Sequence, residues 1–444
     1  MGLSAAALAA ASVALPLSSP AGASPAWIDR GLHVVGGPVA AGGRVVVLVS
    51  APNRSVWLEA VDAKTGAVKW KLPEGFSGIT AGVATSPAVE DGVVLALVPA
   101  GGQTSPLVRL EGVRVASGAI AWRARAPAVV TDAPTSCPPP LGPRGFCLVT
   151  ASSPSTSPAL VALSAPSGMV EAMVPGIQRL MSTTPGLYEA TGRPSVLVGV
   201  RTPGGTDWGQ RVSALFGAGY DPDYGWGFDR FGAVEAGSVG RTPVGGNTVA
   251  LDTGKTVGLS SATGKRLWSD RGVFECFGVD ALPGPWLCRL TGTATATASG
   301  KITVSADATL TLEGFDPATG DIRWRVPTAH NEIAATLRGD VAIADADHLL
   351  VRPLRGRELV VDLRSGTTSP PAPGQVFWCA HANLFKINPP LGFGVQRVGS
   401  SRYGPCDAAG HAVTAVPPKS VPAVARAAGM RVWASPSGLE GVRG

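Results

Sequence analysis

The sequence predicts an all-β protein built from many short strands. Apolar residues make up 45% of the 444 residues, so the chain can fill a large core. Gly 58 and Pro 39 together exceed a fifth of the chain, which indicates frequent turns. A turn motif also recurs about every 50 residues along the chain. Together these features exclude a disordered chain and favour one large repeat domain.

The repeated motif places a glycine after Ser or Thr and a tryptophan four residues later. Weaker copies without the tryptophan occur at Ser167-Gly168 and Ser365-Gly366, and residues 212–216 look like a degenerate copy. The strong copies are Thr65-Gly66 with Trp70, Ser117-Gly118 with Trp122, Thr263-Gly264 with Trp268, and Thr319-Gly320 with Trp324.

Each copy predicts a β-hairpin. The segment 56–62 before the first copy alternates apolar and polar residues, as a half-buried strand does. Glycine supplies the positive φ that the turn requires. A second turn upstream, such as Asp91-Gly92, predicts another strand pair. Four strands per repeat of about 50 residues predict the blade of a β-propeller.

The spacing Asp-x-x-Thr-Gly-x-x-x-Trp resembles the repeat of the quinoprotein, or PQQ-like, family and of the envelope-assembly propellers similar to it. The resemblance extends from about Trp27 to the C-terminus. It implies that Trp70, Trp122, Trp268 and Trp324 dock each blade on its neighbour. An indole that recurs once per sheet is also well suited to inter-sheet packing, with its N–H bonded to backbone.

The repeats favour eight four-stranded blades, with seven as the alternative. Seven hairpins are placed by motif or spacing, and residues 406–414 lie one period further on. The tail 429–443 repeats the Val-rich strand and Leu-Glu-x-Val pattern of residues 44–61. Residues 26–28 near the N-terminus are expected to complete that blade, which would remove the last free sheet edge.

Six cysteines fall as three pairs that are close in sequence. An even number of cysteines behind an export signal predicts disulfides in an oxidising compartment. Fifteen pairings are possible, and only proximity in sequence favours one of them. A metal site is disfavoured, because no two cysteines have Cys-x-x-Cys spacing. The favoured pairs are Cys137–Cys147, Cys276–Cys288 and Cys379–Cys406.

Residues 1–23 predict a signal peptide. An apolar run ends at Leu17, and Ala21-Gly22-Ala23 fits a small-x-small cleavage site. No basic residue precedes the apolar run, which leaves open a start further upstream. No cysteine follows the signal at a lipidation position, which disfavours a lipoprotein. The expected domains are therefore the signal peptide, 1–23, and the propeller, 24–444.

The sequence contains no recognisable catalytic centre. The resemblance implies that enzymes of the family hold pyrroloquinoline quinone against adjacent cysteines and bind calcium through Glu, Asn and Asp. This chain has no adjacent cysteines, and its histidines lack metal or triad spacing. We therefore expect no cofactor and no metal. A PQQ- and calcium-dependent alcohol or sugar dehydrogenase is the alternative.

The segment 219–231 contains five aromatic residues in a chain that is only 6% aromatic. Its Gly and Asp content disfavours a regular strand. Asp221 and Asp223 could suggest a calcium loop, but two carboxylates are too few, and a turn is favoured. The aromatic rings either form a surface that binds a partner or fold back onto a weak blade. If they bind, the contacts are Tyr220, Tyr224, Trp226 and Phe228.

The expected function is that of an exported, non-catalytic binding or scaffolding module at the cell envelope or outside the cell. A peptide or glycan is the expected partner of the aromatic loop. The net charge of +6 is spread along the chain without long like-charged runs, which disfavours nucleic-acid binding. We expect a monomer with no membrane-spanning segment after cleavage.

Cleavage is expected after Ala23, so N-terminal sequencing of exported protein should begin at Ser24. Exported protein that begins at Met1, or retention of the protein in the cytosol, would contradict the predicted signal peptide.

Overall fold

The computed structural model confirms the all-β prediction, since strands account for nearly all regular structure in the residues that it describes. The helices there are α1 (Val212–Phe216) and a 3-10 helix at Leu251–Thr253. The described residues are 25–50, 55–74, 79–80, 83–84, 86–101, 106–137, 141, 144–181, 186–192, 194–200, 205–220, 227–240, 248–274, 284–296, 302–330, 333, 341–352, 357–387, 396–418, 421 and 424–444. Residues 1–23 and Cys276 lie outside them.

The strands of the first half are short and alternate with tight turns. They are β1 (Trp27–Asp29), β2 (His33–Ala41), β3 (Arg44–Ser50), β4 (Val56–Asp62), β5 (Val68–Glu74), β6 (Ile79–Thr80), β7 (Val83–Ala84), β8 (Val89–Glu90), β9 (Val93–Pro99), β10 (Leu107–Arg114), β11 (Ile120–Arg123), β12 (Ala128–Val130), β13 (Thr135–Ser136), β14 (Gly145–Ala151), β15 (Ala159–Ser164), β16 (Val170–Pro175), β17 (Ile177–Leu180), β18 (Leu187–Ala190), β19 (Val196–Gly199) and β20 (Trp208–Arg211).

The second half continues the same pattern and includes one long hairpin. Its strands are β21 (Gly227–Phe231), β22 (Val234–Val239), β23 (Thr248–Ala250), β24 (Lys255–Ser260), β25 (Arg266–Arg271), β26 (Val273–Phe274), β27 (Trp286–Leu290), β28 (Thr293–Ala296), β29 (Ile302–Val304), β30 (Leu310–Phe315), β31 (Ile322–Pro327), β32 (Ala342–Asp345), β33 (His348–Val351), β34 (Leu359–Asp362), β35 (Thr368–Ser369), β36 (Phe377–Ile387), β37 (Gln396–Cys406), β38 (Val424–Ala427), β39 (Met430–Ser435) and β40 (Gly438–Arg443).

Most of the described strands group into antiparallel units of four, while β12 links units 2 and 3 in one sheet and β36, β37, β7 and β6 extend the sheet of unit 7. In the last unit β1 pairs with β40, with Trp27 opposite Gly441, so the first and last strands share one sheet as the sequence predicts. In chain order the units are β2–β5 (unit 1), β8–β11 (unit 2), β13–β16 (unit 3), β17–β20 (unit 4), β21, β22, β24 and β25 (unit 5), β26, β27, β30 and β31 (unit 6), β32–β35 (unit 7), and β38–β40 with β1 (unit 8).

Each unit packs its apolar side chains against the next unit. Val46 of unit 1 shares a core cluster with Val94 of unit 2, for example. Val45 of unit 1 shares another cluster with Val432 of unit 8, so the last unit also packs against the first. Successive four-stranded sheets packed in this order form a β-propeller arrangement.

Tryptophans join neighbouring units at a fixed place. The indole Nε1–H of Trp70 donates to the carbonyl of Val115, at the turn of the next unit, over 2.9 Å. The equivalent bond from Trp268 to the Pro317 carbonyl measures 2.7 Å. We call this contact the tryptophan dock. Trp122 bonds to Ala165 in the same way, and Trp324 lies against Gly366.

Two further tryptophans make the same dock, although neither belongs to a strong sequence copy. Trp27 of unit 8 donates to the Ala63 carbonyl of unit 1 over 3.0 Å. Trp208 of unit 4 donates to the Ser261 carbonyl of unit 5 over 3.0 Å. The dock therefore also operates where the two chain ends meet.

Glycine makes room for each dock. Gly320, at the turn of unit 6, has φ of +78°, and a Cβ there would lie 2.7 Å from the indole of Trp268. Gly258, opposite Trp268 within its own sheet, would also collide with the indole if it carried a Cβ. Five of the six docking indoles are held between two glycines in this way, whereas Trp70 lies against Gly118 of the next unit and opposite Ala60 in its own sheet.

Two sequence predictions about the repeats are wrong. Residues 212–216 form α1 and not a hairpin, since the outer hairpin of unit 4 is β19–β20. The region around Cys406 is not a separate blade either. It ends the long hairpin β36–β37, whose first strand pairs with β32 of unit 7. The tail and the N-terminal strand make their own unit without this region.

Two of the three predicted disulfides form, Cys137–Cys147 and Cys379–Cys406. Cys288 is also disulfide-bonded. The first disulfide belongs to unit 3, and the second joins the two strands at the base of the β36–β37 hairpin.

Replacing Trp268 by Ala is expected to lower the free energy of unfolding by about 3 kcal/mol, since it empties a large, half-buried aromatic site. Urea unfolding followed by far-UV circular dichroism measures the change. Trp57→Ala is the control, because Trp57 bonds only to Ser55 nearby and makes no dock, so it should cost clearly less. Equal losses in the two variants would contradict the special role of the dock.

Candidate functional site

The two edges of the propeller carry different kinds of connection. The edge formed by the Gly-containing turns, such as residues 62–68 and 260–266, holds the hairpin turns that receive the tryptophan docks. We call it the turn edge. The opposite edge, which we call the insertion face, carries most of the added structure. There lie β6–β7, α1, β23 with the 3-10 helix, β28–β29, and the β36–β37 hairpin.

A pocket of about 510 Å3 opens on the insertion face near units 4 and 5. Ligand pockets in proteins have volumes of this order. Its walls come from the segment after α1, the 3-10 helix, the first residue of β24 and the last residue of β25. The lining residues are Phe216, Gly217, Ala218, Tyr220, Asp252, Thr253, Lys255 and Arg271.

Two cations hold the end of α1 on unit 5. Lys255 Nζ donates to the Phe216 carbonyl over 2.9 Å, and Arg266 donates to the Leu215 carbonyl over 2.5 Å. The last carbonyls of a helix lack partners within the helix, and cations near them are favourable. The short helix is therefore fixed, and it positions the chain that leads to Tyr220.

Among the described residues, Tyr220 is the predicted contact residue that lines this pocket. Its hydroxyl donates to the Thr253 carbonyl over 2.9 Å, and its ring packs 6.1 Å from that of Phe216. The Lys255 ammonium lies 6.0 Å from the Tyr220 ring centroid, at the outer limit of a cation–π contact. The ring is half-buried and fixed in orientation.

The described lining residues include two cations, Lys255 and Arg271, and one carboxylate, Asp252. Burial lowers the pKa of Lys255, and the nearby guanidinium groups of Arg266 and Arg271 lower it further. Within the described part of the chain no carboxylate forms an ion pair with Lys255 or Arg271, although Asp252 also lines the pocket. An anionic group entering the pocket would relieve this repulsion.

Of the other predicted contact residues, Phe228 is described by the structure, and it does not line this pocket. Phe228 is fully buried on β21 and packs edge-on against Phe216, 6.2 Å away. It is a core residue, so the prediction that its ring contacts a partner is wrong. Tyr224 and Trp226, with Asp221 and Asp223, lie outside the described residues.

Lys255, Arg271 and Asp252 were not predicted from the sequence as site residues. A signal for Lys255 was present, because it opens the third strand of its unit. The third strands of the other units begin with Val56, Leu107, Ala159, Val196, Leu310, Leu359 and Gly438, none of which is charged. A cation at a position that is otherwise apolar or glycine indicates a local role. Arg271 and Asp252 carry no comparable signal.

The residues present do not fit a PQQ and calcium site. The described residues contain no group of three or more His, Cys, Asp or Glu side chains that could hold a metal ion. Cys137 and Cys147 are joined within unit 3, ten residues apart, and so do not form the adjacent pair that the enzymes use. His348 and His411 bond separately to Asp345 and Asp407.

Several carboxylates are buried between the strands, and most have an arginine partner. Glu111 accepts from Arg123 over 2.6 Å. Glu313 accepts from both Arg289 and Arg325. Buried charges compensated in this way are parts of the sheets and do not form a reactive cluster.

Glu74 is different, because among the described residues it has no arginine partner and accepts a hydrogen bond from the Leu97 N–H of the next unit, over 2.9 Å. Burial raises the pKa of Glu74 to about 8, and the Leu97 N–H only partly opposes the rise. This carboxyl therefore carries a proton at neutral pH in the folded protein.

Residues 202–369 match the family described as outer membrane protein assembly factor BamB. The resemblance to the PQQ-like repeat is confirmed. The match covers less than half of the chain, from before Trp208 to the end of β35. It includes the pocket residues. No curated protein matches the sequence.

Solved structures of PQQ-like propellers are similar to this chain over most of its length. BamB from Moraxella catarrhalis is 14% identical, covers 85% of this chain and 81% of its own, and has a TM-score of 0.34. Quinohemoprotein alcohol dehydrogenase from Comamonas testosteroni is 11% identical, with coverage of 81% and 72% and a TM-score of 0.41. Within the described residues no helix has the length and apolarity needed to cross a membrane.

The Glu74 carboxyl predicts a pH dependence of stability. In the unfolded chain this carboxyl has the ordinary glutamate pKa of 4.5 and loses its proton above it, while the folded protein keeps the proton up to about pH 8. Stability should therefore fall as pH rises from about 4.5 to 8, by at most roughly 1.4 kcal/mol per pH unit. Urea unfolding between pH 5 and 8 measures this slope.

Glu74→Gln should remove this contribution, so the variant gains stability relative to wild type as the pH rises. Glu171→Gln, at an exposed position on β16, should follow the wild-type slope. If Glu74→Gln and wild type keep a constant difference over this range, Glu74 is ionised in the folded protein.

Proposed function

We propose that this protein is an exported, non-catalytic propeller that binds a protein or glycan through its insertion face. The observation that carries the proposal is the placement of the added structure. Rigid scaffolds commonly bind their partners through loops on one side. Here α1, β23, β28–β29 and the β36–β37 hairpin all lie on one side. The pocket beside Tyr220 opens on the same face.

The repeated residues support binding through the insertion face, because their packing role excludes them as contacts for a partner. Trp70, Trp122 and Trp268 bond to neighbouring units, and the repeat glycines lie against the indoles. Their chemistry is used in packing, so the residues that remain to select a partner are those outside the repeat. On the insertion face these include Tyr220.

Export to the cell envelope or beyond is supported by the disulfides Cys137–Cys147 and Cys379–Cys406, since such bonds persist in oxidising compartments. The match to the family of an outer membrane protein assembly factor supports a binding or scaffolding role in the envelope. We propose a monomer and no cofactor.

Replacing both Tyr224 and Trp226 by Ala should weaken binding to the partner by about 2 kcal/mol or more, since aromatic anchors dominate many interfaces. The measurement uses immobilised wild type to capture and identify a partner from envelope extract, then titrates the purified partner against each variant. Thermal unfolding of each variant should stay close to that of wild type.

The matched control is the double variant Ile120→Ala, Leu267→Ala. These side chains are exposed on outer strands and are not among the residues that line the pocket, so the control removes two large apolar side chains and should keep the partner affinity. If the double variant of Tyr224 and Trp226 binds the partner as tightly as wild type, or unfolds at a much lower temperature, these two residues are not the contacts with the partner. Reproducible alcohol or sugar oxidation with added PQQ and calcium would overturn the non-catalytic proposal.

A further inference from the structure

The pocket beside Tyr220 combines three kinds of lining group. Lys255 and Arg271 supply positive charge, Asp252 and the Thr253 backbone supply hydrogen-bond acceptors, and Tyr220 supplies an aromatic ring. From this combination we infer that the pocket binds an acidic sugar, with Lys255 and Arg271 contacting its carboxylate or phosphate group. The inference rests on the proposed binding function of the insertion face and adds the ligand class.

The anionic part of the ligand follows from the charges. Arg271 lies at the last position of β25, is exposed, and lines the pocket together with Lys255. The carboxylate next to it in sequence, Asp270, pairs with Arg289 at 2.5 Å and so is engaged elsewhere. Among the described lining residues the remaining carboxylate is Asp252, which can balance one of the two cations. An oxyanion would accept charge-assisted hydrogen bonds from both.

The sugar part of the ligand follows from the other walls. Asp252 is exposed in the pocket and accepts hydrogen bonds, which suits sugar hydroxyls. The half-buried ring of Tyr220 offers an apolar wall of the kind that packs against the C–H groups of a sugar. A volume of about 510 Å3 admits a ligand larger than an isolated phosphate ion.

A purely structural role for Lys255 is the competing explanation, because Lys255 also holds the Phe216 carbonyl. A variant at Arg271 distinguishes the structural explanation from the ligand-binding one. Among the described residues, no hydrogen bond joins the Arg271 side chain to α1. A variant at Arg271 can therefore remove charge from the pocket and leave the support of the helix in place.

The test measures binding of glucuronate, glucose 6-phosphate, inorganic phosphate and glucose to the mature protein by isothermal titration calorimetry at constant ionic strength. We expect one or both acidic sugars to bind at one site and glucose to bind at least tenfold more weakly. If glucuronate binds more tightly, the ligand group is a carboxylate. If glucose 6-phosphate binds more tightly, the ligand group is a phosphate. Inorganic phosphate binding as tightly as either acidic sugar would overturn the sugar part of the inference.

Arg271→Gln and Lys255→Met should each raise the Kd of the preferred acid at least tenfold. Lys265→Met is the matched control, because it removes one charge at the exposed turn of the same hairpin and should change the Kd less than twofold. Unchanged binding in Arg271→Gln, or absence of binding by both acidic sugars, overturns the inference. Capture of the envelope partner would then still test the proposed function separately, since that test uses variants at 224 and 226.

Discussion

The tryptophan dock is the contact on which the rest of this fold depends. One indole spans the gap between two units, because its N–H reaches a carbonyl at the turn of the next sheet while its ring fills the space between two glycines. Trp268, between Gly258 and Gly320, shows the arrangement fully. The dock sets the distance between sheets, so the positive φ of Gly320 serves the interface as well as the turn.

The dock is missing from two units, and both have a covalent link nearby. Ala172 occupies the tryptophan position of unit 3, where the Cys137–Cys147 disulfide joins the core shared with unit 4. Unit 7 ends at Ser369 without a tryptophan, and Cys379–Cys406 anchors the hairpin beside it. Trp378 of that hairpin then packs against Trp433 of unit 8. A disulfide typically contributes about 2–4 kcal/mol, comparable with the loss of a large buried side chain.

The sequence predicted the features that repeat and missed those that occur once. Period-2 alternation and the Ser/Thr-Gly turn predict the hairpins, because these patterns arise from local backbone preferences. The helix at 212–216 and the hairpin at 377–406 occur once, so no repeat marks them. Phe228 was misassigned for a related reason, since aromatic density does not show which way a ring points. Lys255 and Arg271 lie opposite each other in the β24–β25 hairpin, but only the tertiary fold brings them together with α1 and Tyr220 in one pocket.

The dock also explains why the insertions lie on one side. Each docking carbonyl, such as that of Ala63, Val115 or Pro317, lies at a turn between the third and fourth strands. A longer turn there would displace the carbonyl and the glycine from the indole, and the interface between two units would be lost. Connections at the opposite edge make no docking contact, so they can lengthen without disturbing the packing between units. The constraint that holds the sheets together thus leaves the insertion face as the place where a binding site can develop.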